Sequence, residues 1–208
     1  MGDFAEAKVT KANGLQKWAL SSENGKYGGA AFGFNIGALL KFDIPSVEGL
    51  GIIASLDLIY NGINSDIEDY IVDIANDNNA VTTQPKYLNI PIMVGANYTF
   101  PLTEVIGIYG EAALGINLRK ITNYTIVDVS RDEEIKTTYD LAKSFSYRIG
   151  AGFIFNNRFS IGVDYYVLGS EEVTGKTEYD LSAGNGEVKY SGKSLSTNML
   201  LIRCGIMF

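Results

Sequence analysis

Apolar and polar residues alternate along most of this 208-residue chain, and the alternation indicates its fold class. Seven segments carry apolar side chains at every second position; they cover residues 30–42, 52–61, 88–100, 106–119, 145–155, 159–168 and 196–208. A period of two is that of a β-strand with one apolar face. The pattern therefore predicts an all-β chain forming a single domain over residues 1–208.

The connections between these segments alternate between short and long. Short turns occupy residues 44–48, 101–104 and 156–158, and polar stretches occupy 62–85, 120–143 and 169–195. This asymmetry is typical of transmembrane barrels, which have short turns on one side, long loops on the other and an even number of strands. The sequence thus predicts an eight-stranded antiparallel up-and-down transmembrane β-barrel, with short periplasmic turns and long extracellular loops.

Residues 1–28 are the least regular part of the chain, and we expect them to supply the first strand and the first loop. Both alternate tracks of residues 4–20 carry charge, with Glu6 and Lys8 on one and Lys11 and Lys17 on the other. A short amphipathic helix broken at Gly14 is an alternative to a strand for this segment. At the other end, alternation within 170–194 indicates that the last polar stretch extends its strands as a hairpin beyond the membrane.

Alternation alone does not say which face points outward, because a soluble lipocalin-like barrel has the same period in the opposite sense. The polar track is mostly Gly, Asn, Ser and Ala, which suits the crowded interior of an eight-stranded barrel. The other track is large and aliphatic, as lipid contact requires. Its aromatic residues at the short-turn ends predict an interfacial girdle; they are Phe42, Tyr98, Phe100, Phe155, Phe159 and Phe208.

Five charged residues interrupt the polar track at similar depth, about five to seven residues from the short-turn end of their strands. They are Asp57, Glu111, Arg148, Asp164 and Arg203. Three acids and two bases in one narrow layer are expected to pair, because an unpaired buried charge is very costly. We predict a structural ion-pair plug, with a charged ring that tunes ion passage as the alternative.

Composition limits the chemistry that this chain can support. It contains no histidine, which removes the commonest general base and metal ligand, and its net charge of -7 argues against a nucleic-acid partner. Acid–base work by Asp57 and Glu111 is a weaker alternative to ion pairing. The acidic stretch 73–79 could offer oxygens to Ca²⁺, but it lacks the signature of a dedicated site. We expect no enzyme activity, no cofactor and no metal, and we expect the single Cys204 to be a small apolar residue facing lipid.

Four segments resemble strands of a bacterial family of small outer-membrane barrels, porin-like in name and OmpA-like in size. They are GFNIGALLKF at 33–42, YLNIPIMVGANY at 87–98, GEAALGI at 110–116 and SIGVDYYVLG at 160–169. The resemblance covers residues 29–208 and implies the fold and the outer membrane as its location, but no catalytic motif. The terminal Phe208 is similar to the C-terminal aromatic that the barrel-assembly machinery reads in such proteins.

The expected partners follow from this resemblance together with the pattern. They are the lipid bilayer of the outer membrane, the barrel-assembly machinery through the C-terminal strand, and an extracellular partner through residues 62–85, 120–143 and 169–195. A precursor would carry a signal peptide that is absent from this chain. The predicted function is structural, or recognition and adhesion through the loops. The alternative is transport, by a narrow porin-like channel or a barrel that binds a small ligand.

Overall fold

The computed structural model describes residues 30–63, 80–83, 85–182 and 184–207. Three features raised by the sequence lie outside these residues: the strand or helix at 4–20, the acidic stretch 73–79, and Phe208. Within the described ranges the chain is all-β. None of the described residues belongs to a helix of the length and apolarity needed to cross a membrane.

The described strands are joined by antiparallel pairing. They are β1 (Ala30–Asp43), β2 (Leu50–Ile63), β3 (Ala80–Thr83), β4 (Tyr87–Pro101), β5 (Ile106–Ile121), β6 (Tyr124–Asp128), β7 (Glu133–Tyr139), β8 (Ala142–Phe155), β9 (Phe159–Leu181) and β10 (Gly184–Ile206). Seven of them, β1, β2, β4, β5, β8, β9 and β10, correspond to the seven segments with alternating apolar residues, and β10 covers residues 196–206 of the last segment. The all-β, antiparallel part of the prediction is confirmed.

The seven long strands follow one another as neighbours in an up-and-down meander. Their order in the sheet is β1-β2-β4-β5-β8-β9, with β10 paired to β9. The β8–β9 turn shows how the sequence closes these hairpins. Asn156 and Asn157 both have positive φ, at 51° and 52°, and the Arg158 amide donates to the Phe155 carbonyl at 3.0 Å. This is a type I′ turn, in which asparagine is favoured.

Contacts between distant strands show that the sheet curls back towards itself. The Tyr166 hydroxyl on β9 donates to Asp57 Oδ2 on β2 at 3.0 Å, although β2 and β9 are separated by three strands in the sheet. Neighbouring strands lie ~4.8 Å apart, so in a flat sheet these two would be ~19 Å apart. The curl encloses one face of the long strands.

The enclosed face carries the small and polar track, and the outer face carries the large apolar track. On β2, for example, Ser55 and Asp57 are buried, whereas Ile52 and Leu56 are 49% and 52% exposed. The apolar part of the interior is formed mainly by six buried residues: Ile53, Ile59, Met93, Ala113, Tyr166 and Leu168. A folded chain with its aliphatic residues outside is the reverse of a water-soluble protein.

Residues 120–143, predicted as a loop, are largely strand, which corrects that part of the prediction. Residues 120–143 include β6 and β7, and residues 169–195 continue β9 and β10 as the expected hairpin. We call β3, β6, β7 and residues 170–196 of β9 and β10 the outer extension. Its alternating Thr, Val and Tyr residues favour strands. Because charged residues lie on both faces, the sequence shows no continuous apolar track in this part of the chain. β9 changes partner here, from β8 up to Val167 to β7 from Gly175 onward.

Candidate functional site

The strand register brings the predicted interior charges to one level. Gly150 on β8 lies opposite Glu111 on β5 and opposite Asp164 on β9, so the two carboxylates flank one glycine. An added Cβ at Gly150 would overlap the Asp164 carboxylate, and one at Gly37 would overlap the Asp57 carboxylate. Glycine at these two positions therefore makes the space that the charged groups occupy.

The structure brings all five predicted charges together as one chain of ion pairs. Arg148 Nη1 lies 3.4 Å from Asp57 Oδ2, and its Nη2 lies 2.8 Å from Glu111 Oε1. Arg203 Nη2 lies 3.1 Å from the same Glu111 oxygen and also contacts Asp164 Oδ2. The order is Asp57, Arg148, Glu111, Arg203, Asp164, and we call it the charged layer.

The charged layer is buried at its centre. The side chains of Arg148, Glu111 and Asp164 are 0%, 3% and 1% exposed, and only Arg203 reaches 18%. The sequence indicated that Arg148 adjoins the strands of Glu111 and Asp164. In the structure β8 does lie between these two strands, and Arg148 contacts Glu111. Arg148 also spans the interior to Asp57, because the curl brings β2 opposite β8.

Tyr166 completes the charged layer, and the sequence reasoning missed it. Its hydroxyl accepts from Arg148 Nη1 at 2.8 Å and donates to Asp57 at 3.0 Å. The Arg148 guanidinium carbon lies 5.4 Å from the centre of the Tyr166 ring, within cation–π range. Ser55 Oγ accepts a further bond from Arg148 Nη1 at 3.3 Å. The available signal was a large aromatic residue on a track that is mostly Gly, Asn, Ser and Ala over the chain as a whole.

A second polar cluster, also missed, lies farther from the short turns. Arg119 Nε and Asn117 Nδ2 both donate to Asn89 Oδ1, at 2.9 Å and 3.0 Å. All three side chains are buried, with Arg119 at 1% exposure. Arg119 lies on the polar track of segment 106–119, so the sequence predicts that its side chain points inward. The sequence does not indicate which residues it contacts. The interior thus carries polar layers at two depths.

The predicted aromatic girdle lies at the short-turn ends on the outer face. Its described members are 37–62% exposed: Phe42, Tyr98, Phe100, Phe155 and Phe159. Phe208 lies outside the described residues. A second set of outward aromatics, not predicted, lies toward the outer extension. Phe34 and Tyr60 stack there with ring centroids 5.4 Å apart, and Phe145 and Tyr147 are 64% and 46% exposed.

The described residues contain no group of three or more His, Cys, Asp or Glu side chains arranged to hold a metal ion. Asp57 and Glu111, the pair weighed for acid–base work, are both held by Arg148. Cys204 is exposed on the outer face of β10. The charged groups of the interior neutralise one another through these ion pairs.

Comparison with known proteins adds the family. The model of the outer membrane protein beta-barrel domain family matches residues 3–199 of the chain. No curated protein matches it. The matched region contains every strand from β1 to β9 and most of β10.

Proposed function

The chain belongs to the outer membrane protein beta-barrel domain family and crosses the bacterial outer membrane as a β-barrel, and on this basis we propose that it is a non-enzymatic barrel with a side-chain-filled interior. Its role is structural, or recognition and adhesion through the outer extension. The strand count of the proposed barrel is eight, an even number as in other bacterial outer-membrane barrels. The short turns face the periplasm and the outer extension faces the medium.

The observation that carries the proposal is the charged layer. Two arginines and three carboxylates from β2, β5, β8, β9 and β10 meet across the interior within 3.4 Å of their partners. Removing one partner of such a buried pair costs about 3–5 kcal/mol, because the other charge is left uncompensated. Opening the interior to a solute would require several pairs to separate at once.

The layers on either side support the same conclusion. The apolar cluster of Ile53, Met93, Ala113 and Leu168 adjoins the charged layer, and partly buried Met199 and Leu201 pack against it. Beyond it lies the cluster of Asn89, Asn117 and Arg119. An eight-stranded barrel is just wide enough for such side chains to fill it.

The outer extension supports recognition as the outward role. β9 and β10 are each 23 residues long, whereas a tilted crossing needs only ~9–11 residues. At ~3.3 Å per residue the surplus projects tens of ångströms from the membrane. A paired sheet of this length is a firm platform for an extracellular partner contacting residues 62–85, 120–143 and 169–195. The C-terminal strand would separately engage the barrel-assembly machinery during insertion.

Single-channel recording in planar bilayers tests the closed interior. We expect the wild-type protein to give no stable conductance, and we expect R148S/R203S to give measurable openings because two space-filling cations are removed. The control K189S removes an exposed lysine of the outer extension, 82% accessible at its side chain, and should stay silent. Stable wild-type conductance would reject the closed interior in favour of the transport alternative.

Cysteine labelling on intact cells tests the orientation. In a C204A background, K189C in the outer extension should react with a bulky membrane-impermeant maleimide. E104C in the β4–β5 turn should react only after the cells are broken. The reverse pattern would place the short turns outside and remove the basis for recognition through the extension.

A further inference from the structure

Three lysines end the outward apolar track on neighbouring strands. Lys86 immediately precedes β4, Lys120 lies near the end of β5, and Lys143 lies near the start of β8. Pairing places Lys120 opposite Leu88 and Lys143 opposite Leu118. Lys86 is two residues from Leu88, and Lys120 is two residues from Leu118. Lys86 and Lys120 are therefore diagonal neighbours across one strand pair, and Lys120 and Lys143 across the next, each pair ~7–8 Å apart. We call these residues the lysine cluster.

The lysine cluster lies at the edge of the apolar band, on the side of the outer extension. Twelve residue steps separate Lys143 from Phe155 in the opposite girdle, which is ~40 Å along the strand and roughly 28 Å along the axis of a barrel with strands tilted by ~45°. That height agrees with the ~25 Å apolar band of outer-membrane barrels. The ammonium groups therefore lie where acyl chains meet headgroups in the outer leaflet.

Within the part of the chain that the structure describes, the cluster is not neutralised by carboxylates. No carboxylate among the described residues forms an ion pair with Lys86, Lys120 or Lys143. By contrast Lys41, on the inner track of β1, lies 3.0 Å from Asp43. Three cations without an ion-pair partner among the described residues make a local positive site on a chain of net charge -7.

Contacts position two of the three lysines, and an apolar surface lies beside the cluster. The Lys86 ammonium lies 5.7 Å from the centre of the Tyr60 ring, and Lys120 Nζ donates to the Tyr139 carbonyl. An ammonium has three donors, so Lys120 keeps two for another acceptor. Below the cluster, outward-facing Leu88, Leu118 and Phe145 present the apolar surface that acyl chains would cover.

We propose that the lysine cluster binds the phosphate-bearing headgroup of an anionic lipid in the outer leaflet, with its acyl chains along β4, β5 and β8. Phosphate oxygens supply the charge and the acceptors that three ammonium groups at a membrane boundary need. The site lies on the lipid face, so it is separate from the closed interior and from recognition through the outer extension.

Lipid titration followed by native mass spectrometry tests this site on the full chain in neutral detergent. We expect wild-type protein to retain phosphatidic acid and not phosphatidylcholine. K86Q/K120Q/K143Q should lose affinity for phosphatidic acid by on the order of a hundredfold, since each lysine near an anionic surface contributes roughly fivefold. The matched control R131Q/K136Q/K189Q removes the same charge from the outer extension and should bind as wild type.

Two further measurements make the test decisive. K86R/K120R/K143R keeps the charge and should restore binding, which separates loss of the site from loss of folding. Excess inorganic phosphate should not displace the lipid, because phosphate has no acyl chains to contact the apolar surface of Leu88, Leu118 and Phe145. Equal losses in both glutamine triples, unchanged binding in K86Q/K120Q/K143Q, or displacement by inorganic phosphate would each overturn the proposal.

Discussion

Gly150 shows how a single residue without a side chain controls the charged layer. It lies between Glu111 and Asp164 on neighbouring strands, and its missing Cβ leaves room for the Asp164 carboxylate. Asp164 in turn contacts Arg203. A glycine in mid-strand is usually unfavourable, so its use here reflects close approach of another group.

Substituting Gly150 by alanine is expected to destabilise the barrel by about 1–3 kcal/mol, the cost of overpacking a filled interior. The added methyl group must push Asp164 away from Arg203. Unfolding in urea, followed by heat-modifiable gel mobility, measures the change. Gly110→Ala is the matched control, because a Cβ there meets nothing within 4 Å. Equal stability of the two variants would contradict the close approach at Gly150.

The outer extension shows how an element far from the membrane is held by exposed carboxylates. Asp128 Oδ1 accepts from the Ser130 hydroxyl at 2.6 Å and from the amides of Ser130 and Arg131 at 2.9 Å and 3.2 Å, which closes the β6–β7 turn. Glu133 accepts from the amide of Ser182 at 3.0 Å and from its hydroxyl, which ties β7 to the end of β9. These bonds favour the ionised carboxylates.

The hydrogen bonds from Ser182 therefore hold the pKa of Glu133 below its ordinary value of 4.5, and those from Ser130 hold the pKa of Asp128 below 3.8. A depressed folded-state pKa contributes stability above the unfolded-state value, and that stability is lost as pH falls through the folded-state value. Amide shifts of Ser182 and Ser130 should titrate with midpoints below 4.5 and 3.8. Glu133→Gln should abolish the Ser182 titration and leave that of Ser130. A Ser182 midpoint at or above 4.5 would contradict the bond.

At the scale of the whole molecule, the outward apolar band is the feature that fits the protein to a bilayer. Its side chains are large, aliphatic and well exposed, as at Ile149 (56%) and Ile202 (74%). Aromatic residues border it on the short-turn side, and the lysine cluster borders it on the other. In water such a surface would drive aggregation; in lipid it lowers the free energy of the folded state.

A charge placed in this band is expected to be costly in a depth-dependent way. Leu114→Arg, near the middle of β5, should destabilise the folded state by about 2–4 kcal/mol in lipid vesicles. Leu141→Arg is the matched control, since Leu141 has the same exposure (54% against 55%) but lies above the lysine cluster; its cost should be about 0–1 kcal/mol. Reversible unfolding in urea measures both. Equal costs would mean that the band does not coincide with the hydrocarbon.

The sequence by itself determined the period, and with it much of the fold. Because side chains alternate faces strictly, one track assigned Ile52 and Leu56 to the outside and Ser55 and Asp57 to the inside before any contact was known. It also placed the five interior charges at similar depth, since depth is a count of residues from a short turn. The positions of the girdle residues at the short-turn ends were predicted from the same count. Phe208 lies outside the described residues.

Only the tertiary structure decided which charges meet. Curling sets β2 against β8 and β9, so Arg148 and Tyr166 both contact Asp57. The spacing of residues along one strand does not reveal such partners. The tertiary structure was also needed to identify the strands of the outer extension. These strands carry charges on both faces, so the sequence shows no alternating apolar track there. Alternation is local and can be read from the chain. Contact between distant strands depends on the curvature and stagger of the whole sheet, which are properties of the assembled molecule.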